Sequence, residues 1–127
     1  MSALRKPVVL VVDDHEAVAR TLAWVLEASG YVTALAHSGK DAVAMAAKVG
    51  PTVAIVDVGL PDVDGIKTAV EICTRLPHCQ ILLISGDPAS APLLEQQKTF
   101  DVVAKPDEPP ELLKRIAALV SRDGWER

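Results

Sequence analysis

The stretch VVLVVDD at residues 8–14 places an apolar run directly before two acids, and VAIVD at residues 53–57 repeats that arrangement. Such runs are typical of strands buried in the middle of a parallel sheet. Because parallel neighbours end at the same sheet edge, we expect Asp13, Asp14 and Asp57 to converge. Clustered carboxylates repel one another unless a cation neutralises them. The pattern therefore predicts a metal site, with Mg2+ as the leading candidate because it prefers oxygen ligands.

Short β-type runs alternate with helical patterns along the rest of the chain, which is typical of βαβ units with right-handed crossovers. The second run alternates in its side chains, as expected nearer an edge of the sheet. The predicted strands are Val8–Val12, Val32–Ala36, Val53–Val56, Ile81–Ile84 and Phe100–Ala104.

Five helices are predicted between and after these strands. The first ends at Gly30, a residue suited to a left-handed C-terminal cap, and its apolar stripe is read as Val18, Leu22, Val25 and Leu26. The second runs from about Lys40 to Lys48, and the third uses Ile66, Ala69, Val70 and Cys73. The fourth, Ala89–Lys98, has the shortest stripe, and the last begins near Pro109 and Pro110, where missing N–H groups cost little.

Length and composition limit the domain organisation and the class of protein. The 127 residues, 50% of them hydrophobic, fit one domain, with a core over about 6–121 and a tail over 122–127. A net charge of -4 and an aromatic content of 3% argue against direct nucleic-acid binding. No apolar stretch approaches the about 18 residues of a membrane span, so we expect a cytoplasmic protein without membrane association.

Several other side chains have ordinary structural interpretations. Cys73 and Cys79 match neither a redox nor a zinc pattern, so both are expected to be reduced, packed thiols. Asp62 and Asp64 are interpreted as turn and cap residues. The three histidines, His15, His37 and His78, are expected at the surface or in caps, with His15 at the pocket rim. Trp24 is expected to pack half-buried.

The turn after the first strand argues against a nucleotide-binding site. Turns that bind nucleotide phosphates normally carry glycines, whereas this turn reads Asp13, Asp14, His15 and Glu16. Anionic side chains there repel phosphate and attract a cation. Ser85 ends the fourth strand and Lys105 follows the fifth, so both fall at the same sheet edge as the acids.

Together these motifs resemble the receiver domain of bacterial two-component response regulators. The resemblance rests on VDD at 12–14, DVGLPDVDG at 57–65, SG at 85–86 and KP at 105–106, and it spans about residues 6 to 121. It implies a flavodoxin-like, doubly wound, five-stranded parallel sheet in the order 2-1-3-4-5, with five helices. A signalling domain is expected, not an enzyme.

The resemblance also implies a role for each residue of the acidic pocket. Asp57 is expected to be the phosphoacceptor. Asp14 and Asp57 are expected to bind Mg2+ directly, the backbone carbonyl of Gly59 to be a third protein ligand, and Asp13 to act through a metal-bound water. Gly59 and Asp87 are expected to flank the attacking water and so to tune the lifetime of the phosphoryl group.

The partners implied are a sensor histidine kinase or phosphotransfer protein and an unidentified downstream target, and homodimerisation is left open. Ser85 and Lys105 are expected to contact the phosphoryl oxygens and to move toward them. A cis peptide bond before Pro106 is expected to aim Lys105 into the pocket.

Two other functions are compatible with the sequence. Val102 stands where the family usually has an aromatic residue, which motivates a degenerate receiver that acts by phosphorylation-independent protein contact. A haloacid-dehalogenase-type phosphatase also uses an aspartate at a strand end, but it needs a second Asp two residues later, where this chain has Gly59.

Overall fold

The computed structural model describes residues 6–86, 100–104 and 109–122 of the chain. Within these ranges the strands are β1 (Val8–Val12), β2 (Val32–Ala36), β3 (Val53–Asp57), β4 (Gln80–Ser85) and β5 (Asp101–Ala104). The helices are α1 (Glu16–Ala28), α2 (Gly39–Val49), α3 (Gly65–Arg75) and α4 (Pro109–Arg122).

The five strands form one sheet in the order β2-β1-β3-β4-β5, and every neighbouring pair is parallel. The predicted sheet topology is confirmed, including the edge position of the second strand. Four helices occur in the described ranges, whereas five were predicted, because the predicted helix at Ala89–Lys98 lies outside the described residues.

The sheet separates two hydrophobic cores. Successive side chains of a strand point to opposite faces, so Leu10 and Val12 join the core beneath α2 and α3. Val9 and Val11 join the core beneath α1 and α4. β3 and β4 contribute to both cores in the same way, which explains their continuous apolar sequences.

The buried stripe of α1 differs from the prediction. Ala19, Ala23 and Leu26 are buried, whereas Val18 is 48% exposed. Small alanines let the helix axis approach the sheet closely, and this leaves the larger Val18 at the flank of the helix. Trp24 is 65% exposed on the outer face, so the expectation that it packs half-buried is wrong.

Smaller differences occur at the strand ends and in α3. β3 continues through Asp57 and β4 runs through Ser85, so both candidate site residues belong to the sheet. β5 begins at Asp101, one residue later than predicted. Val70 is 50% exposed, and Ile72 takes the buried position in α3 instead.

The predicted helix ends are confirmed at two places. Gly30 follows α1 with φ of 98°, a left-handed conformation that a residue without Cβ adopts readily. α4 begins at Pro109, where proline's missing N–H leaves no hydrogen bond unmade. None of the helices in the described ranges combines the length and apolar character needed to cross a bilayer.

Candidate functional site

The carboxyl ends of β1 and β3 bring the predicted acids together. Val12 pairs with Val56 in the parallel register, so Asp13 and Asp57 follow at the same level of the sheet. One side-chain ligand atom from each of Asp13, Asp14, His15 and Asp57 lies within 4.8 Å of the others. Asp13 and Asp57 are buried, whereas Asp14 faces solvent. The group therefore has a buried floor and an open rim.

Backbone and side-chain hydrogen bonds hold Asp13 in place. Its N–H donates to the carbonyl of Ala36 at 3.0 Å, and its own carbonyl accepts from Nδ1 of His37 at 2.9 Å. Its Oδ1 accepts from the N–H of His15 at 2.9 Å. This role of His37 was not predicted. The sequence position of His37 could have indicated it, because His37 directly follows β2, the strand beside β1.

The loop after Asp57 is equally constrained. Oδ1 of Asp57 accepts from the N–H of Gly59 at 3.0 Å, which fixes the orientation of the carboxylate. Among the described residues, a Cβ on Gly59 would meet only that oxygen within 4 Å, at 3.8 Å. The carboxylate of Asp57 therefore has a neighbouring position where an added Cβ clashes with none of the residues that the structure describes.

Gly65 lets the start of α3 pack directly on the backbone of β3. Its N–H donates to the carbonyl of Val58 at 3.0 Å. A Cβ on Gly65 would lie 2.6 Å from Cα of Val58 and closer still to the carbonyl oxygen of Asp57. A glycine is thus required at position 65 for α3 to pack against the backbone next to Asp57.

The two other acids of the loop cap helices. Asp64 accepts from the N–H of Ile66 at 2.7 Å and caps α3, which confirms its predicted role. Asp62 caps α2, because its two carboxylate oxygens accept from the N–H groups of Gly39 at 2.8 Å and Lys40 at 3.0 Å. These backbone hydrogen bonds lower the pKa of Asp62 below its ordinary value. The loop is thereby tied to the start of α2.

Ser85 lies at the same edge of the sheet as the acids. Ile84 pairs with Asp57 across β3 and β4, so Ser85 is one residue further along and pairs with Ala104. The Ser85 residue is buried. Lys105, Pro106 and Asp87, which were also assigned to the site, lie outside the described residues.

His15 makes contacts that were not expected of it. Its Nδ1 lies 3.3 Å from Oδ1 of Asp13 and 3.3 Å from Oδ1 of Asp14. The residue occupies the N-cap position of α1, but its side chain makes no capping hydrogen bond. The ring therefore belongs to the acidic group. Its side chain is 69% exposed, in agreement with the expected surface position at the pocket rim, whereas a capping hydrogen bond is not formed.

Phe100 does not replace the aromatic ring that is missing at Val102. Val102 is buried in the core beneath α2 and α3, and Phe100 packs against that same core. Phe100 precedes the first residue of β5, however, whereas Asp13 and Asp14 follow the last residue of β1 and Asp57 is the last residue of β3. The ring is thus at the end of the sheet opposite to the acidic group. It lines a cavity of about 390 Å³ there together with Cys73 and Cys79.

A family model for the response regulator receiver domain matches residues 9–117. The chain belongs to the response regulator receiver family. This match covers the acidic group, the loop after β3 and Ser85. It favours the receiver interpretation over the phosphatase hypothesis.

Individual relatives agree with this assignment. The transcriptional regulatory protein CreB of Escherichia coli (strain K12) is 28% identical over 121 residues, which cover 94% of this chain and 53% of CreB. The chain thus spans about half the length of that curated relative.

Solved structures share the fold. The chain matches the crystal structure of a response regulator receiver domain protein from Methanospirillum hungatei JF-1 with a TM-score of 0.86 and 21% identity, covering 94% of this receiver and 98% of that chain. It also matches response regulator protein TrrA from Thermotoga maritima in complex with Mg(2+)-BeF, with a TM-score of 0.80 and 24% identity. That match covers 89% of this receiver and 98% of TrrA.

The donor set of this receiver fits a hard divalent cation. Three carboxylates from two strand ends supply anionic oxygen atoms within 4.8 Å of one another, and such oxygens are the ligands that Mg2+ prefers. Two of the three residues are buried, where mutual repulsion between carboxylates is screened least. A bound cation would relieve that repulsion.

Proposed function

We propose that this chain is a receiver that accepts a phosphoryl group on Asp57 in a Mg2+-dependent reaction and relays the signal by a change in conformation. The observation that carries the proposal is the grouping of Asp13, Asp14 and Asp57 at one edge of the sheet, in a chain of the receiver family. The proposed domain comprises residues 1–127, with its core over about 6–121.

Four residues would hold the metal. Asp14 and Asp57 would bind Mg2+ directly, the carbonyl of Gly59 would add a third protein ligand, and Asp13 would act through a bound water. The bound cation supplies positive charge to the phosphoryl oxygens during transfer. The structure of TrrA with Mg(2+)-BeF supports this choice of metal. The formal charges of three carboxylates, one Mg2+ and Lys105 cancel before phosphoryl transfer.

Asp57 is the proposed nucleophile. Its carboxylate oxygen forms a new bond to phosphorus while the bond between phosphorus and a phosphohistidine nitrogen of the partner breaks. The leaving imidazole keeps the electron pair of that bond and takes up a proton. The hydrogen bond from Gly59 to Oδ1 holds the carboxylate in a fixed orientation, which lowers the entropy cost of reaching the reactive geometry.

Ser85 and Lys105 are the proposed contacts to the transferred phosphoryl oxygens. Ser85 would donate its hydroxyl proton, and Lys105 would supply a positive charge. Phosphorylation adds about -1.5 to -2 charges at neutral pH. Movement of these two side chains toward that charge would reshape the face formed by the predicted helix at Ala89–Lys98, which lies outside the described residues, together with β5 and α4. A downstream protein would bind that face.

The proposed phosphoryl donor is a sensor histidine kinase or a phosphotransfer protein in the cytoplasm. A small donor tests the chemistry without knowledge of that partner. The purified chain is incubated with acetyl phosphate, with Mg2+ or with a chelator, and its mass is measured. The wild type should gain one phosphoryl group only with Mg2+, and Asp57→Asn should gain none.

Asp64→Asn is the matched control for this experiment. It removes a carboxylate from the same loop but keeps a side chain that caps helices about equally well. It should be phosphorylated like the wild type. A wild type that stays unmodified with Mg2+ and acetyl phosphate would contradict the proposal.

A degenerate receiver is the second candidate, because buried Val102 occupies the position of the usual aromatic residue. Such a chain would bind its target equally well with and without the phosphoryl group. Target affinity measured for the wild type and for Asp57→Asn separates the two functions. Equal affinities under phosphorylating conditions favour the degenerate receiver.

A further inference from the structure

The imidazole of His15 is part of the acidic group but has no task in the proposed phosphoryl transfer. Its Nδ1 lies 3.3 Å from a carboxylate oxygen of Asp13 and 3.3 Å from one of Asp14. The N–H of His15 also donates to Oδ1 of Asp13 at 2.9 Å, so the backbone that carries the ring is anchored to the site. The ring is thus brought to the carboxylates by the structure of the turn itself.

These separations suit ligands that share one metal ion. Protein ligands lie about 2.0 to 2.2 Å from first-row divalent ions, so adjacent ligand atoms are about 3 Å apart. The two nitrogen-to-oxygen distances are close to that separation. The remaining ligand atoms of the group fall within 4.8 Å. The ring is 69% exposed and Asp14 faces solvent, so both side chains have room to adjust.

We propose that His15 supplies Nδ1 as a nitrogen ligand to the ion held by Asp13, Asp14 and Asp57, which makes the site mixed in nitrogen and oxygen. The proposal rests on the metal site of the proposed function and concerns which ion that site selects. Imidazole is a ligand that suits Co2+, Ni2+ and Zn2+, whereas Mg2+ prefers oxygen and exchanges its waters reluctantly. His15 therefore raises affinity for transition ions and leaves affinity for Mg2+ nearly unchanged.

Two simpler roles for the ring fit the structure less well. Its side chain makes no hydrogen bond to the start of α1, so it does not act as a helix cap. A hydrogen bond between Nδ1 and Oδ1 of Asp13 at 3.3 Å accounts for one carboxylate contact of the ring, but not for the equal distance to Oδ1 of Asp14. The selection of the metal accounts for both observations.

The experiment measures Co2+ and Mg2+ affinities of the whole chain and of three variants. His15→Asn removes the ring and keeps a good N-cap residue, so the fold should persist. His78→Asn removes an exposed histidine outside the group and is the matched control. Asp57→Asn removes a carboxylate of the group. The measurements are made at about pH 7.5, where an ordinary imidazole is mostly neutral.

The expected result is selective. His15→Asn should weaken Co2+ binding at least about tenfold and change Mg2+ binding by less than about threefold. His78→Asn should match the wild type for both ions. With Mn2+ as a spectroscopic probe, pulsed electron paramagnetic resonance should detect a directly bound imidazole nitrogen in the wild type and lose it in His15→Asn.

Three results would overturn the proposal, and they are distinguishable. If Mg2+ binds normally but the ratio of Co2+ to Mg2+ affinity is the same in His15→Asn, His15 is not a ligand and the proposed function stands. If Co2+ binds Asp57→Asn as tightly as it binds the wild type, the ion is held elsewhere. If the wild type binds neither ion, the metal site of the proposed function fails as well.

Discussion

At the residue scale, two glycines after β3 have opposite packing requirements: Gly59 lies in the loop, and Gly65 is the first residue of α3. Gly65 touches the backbone of Asp57 and Val58 so closely that no side chain fits, whereas Gly59 has ordinary contact distance around its Cβ position. Both glycines lie within the DVGLPDVDG motif. Gly65 is therefore required for packing, whereas the fold does not require a glycine at position 59.

Gly65→Ala should lower the free energy of unfolding by about 1–3 kcal/mol, because an added methyl group must displace the backbone of β3 or of α3. Gly59→Ala adds the same methyl group in the loop that precedes α3 and should change stability by less than about 0.5 kcal/mol. Urea denaturation of both variants measures the difference. Equal destabilisation by the two substitutions would show that the close approach of Gly65 to the backbone of β3 does not cause the loss of stability.

Gly59 should instead control how long the phosphoryl group persists. A side chain at this position contacts Oδ1 of Asp57, beside the expected route of the attacking water. Gly59→Asn and Gly59→Glu should therefore alter the rate of aspartyl-phosphate hydrolysis severalfold with the fold intact. The decay of the phosphorylated species, followed by mass spectrometry, measures this rate. Unchanged decay in both variants would refute the role of Gly59; Asp87, its expected counterpart, lies outside the described residues.

At the scale of elements, close packing of α1 depends on small residues. Ala19 and Ala23 face the sheet together with Leu26, while Val18 and Trp24 lie outside the core. A periodicity argument that gives weight to large side chains selects the wrong flank of such a helix. The prediction for Val18 failed for this reason.

Leu26→Ala and Val18→Ala test the buried face of α1. Leu26 is fully buried, so its truncation should cost about 2–5 kcal/mol through lost burial and a cavity. Val18 is half exposed, and its truncation should cost less than about 1 kcal/mol. Both values come from urea denaturation at one pH. A larger loss of stability for Val18→Ala than for Leu26→Ala would contradict the burial of Leu26 and the exposure of Val18.

A second link between elements is the capping of α2 by Asp62, which lies 22 positions after Lys40 in the sequence. The two backbone hydrogen bonds lower the pKa of Asp62 in the folded chain. A lowered folded pKa contributes stability above the unfolded pKa, and that contribution is lost as pH falls through the folded pKa. The cap should thus stabilise the fold at neutral pH and not in strong acid.

Asp62→Ala should accordingly be less stable than the wild type near about pH 7, and the difference should shrink toward about pH 3. Because Asp62 is exposed, high salt should also reduce the difference. Urea denaturation at several pH values provides the measurement, with Asp41→Ala, another acid at the start of α2, as control. A stability difference that does not depend on pH would mean that the charge of Asp62 is not involved.

At the scale of the whole molecule, the sheet order and the acidic group could be predicted from the residues at the ends of the strands. Continuous apolar runs identified the central strands, and parallel pairing then required their terminal acids to meet. The long-range contacts were not predictable in this way. Asp62 and His37 act on residues 22 and 24 positions away, and their side chains carry no local pattern that names a distant partner.

The contacts of His15 could not be predicted from the sequence either, for a different reason. Its position after two acids indicated the pocket rim, but the direction of the ring depends on how the turn folds back on Asp13. Side-chain orientation in a turn follows from several backbone angles at once. The sequence spacing therefore predicted where His15 lies, but not which carboxylates its ring contacts.

Titration with Mg2+ tests the central claim most directly, which is that carboxylates from two strand ends hold one divalent ion. Calorimetry on the wild type should show one ion per chain, and binding should weaken strongly in Asp13→Asn, Asp14→Asn and Asp57→Asn. Glu71→Gln removes a charge that is paired with Arg75 on α3, and it should bind like the wild type. Absence of Mg2+ binding by the wild type, or equal weakening by Glu71→Gln, would contradict the claim.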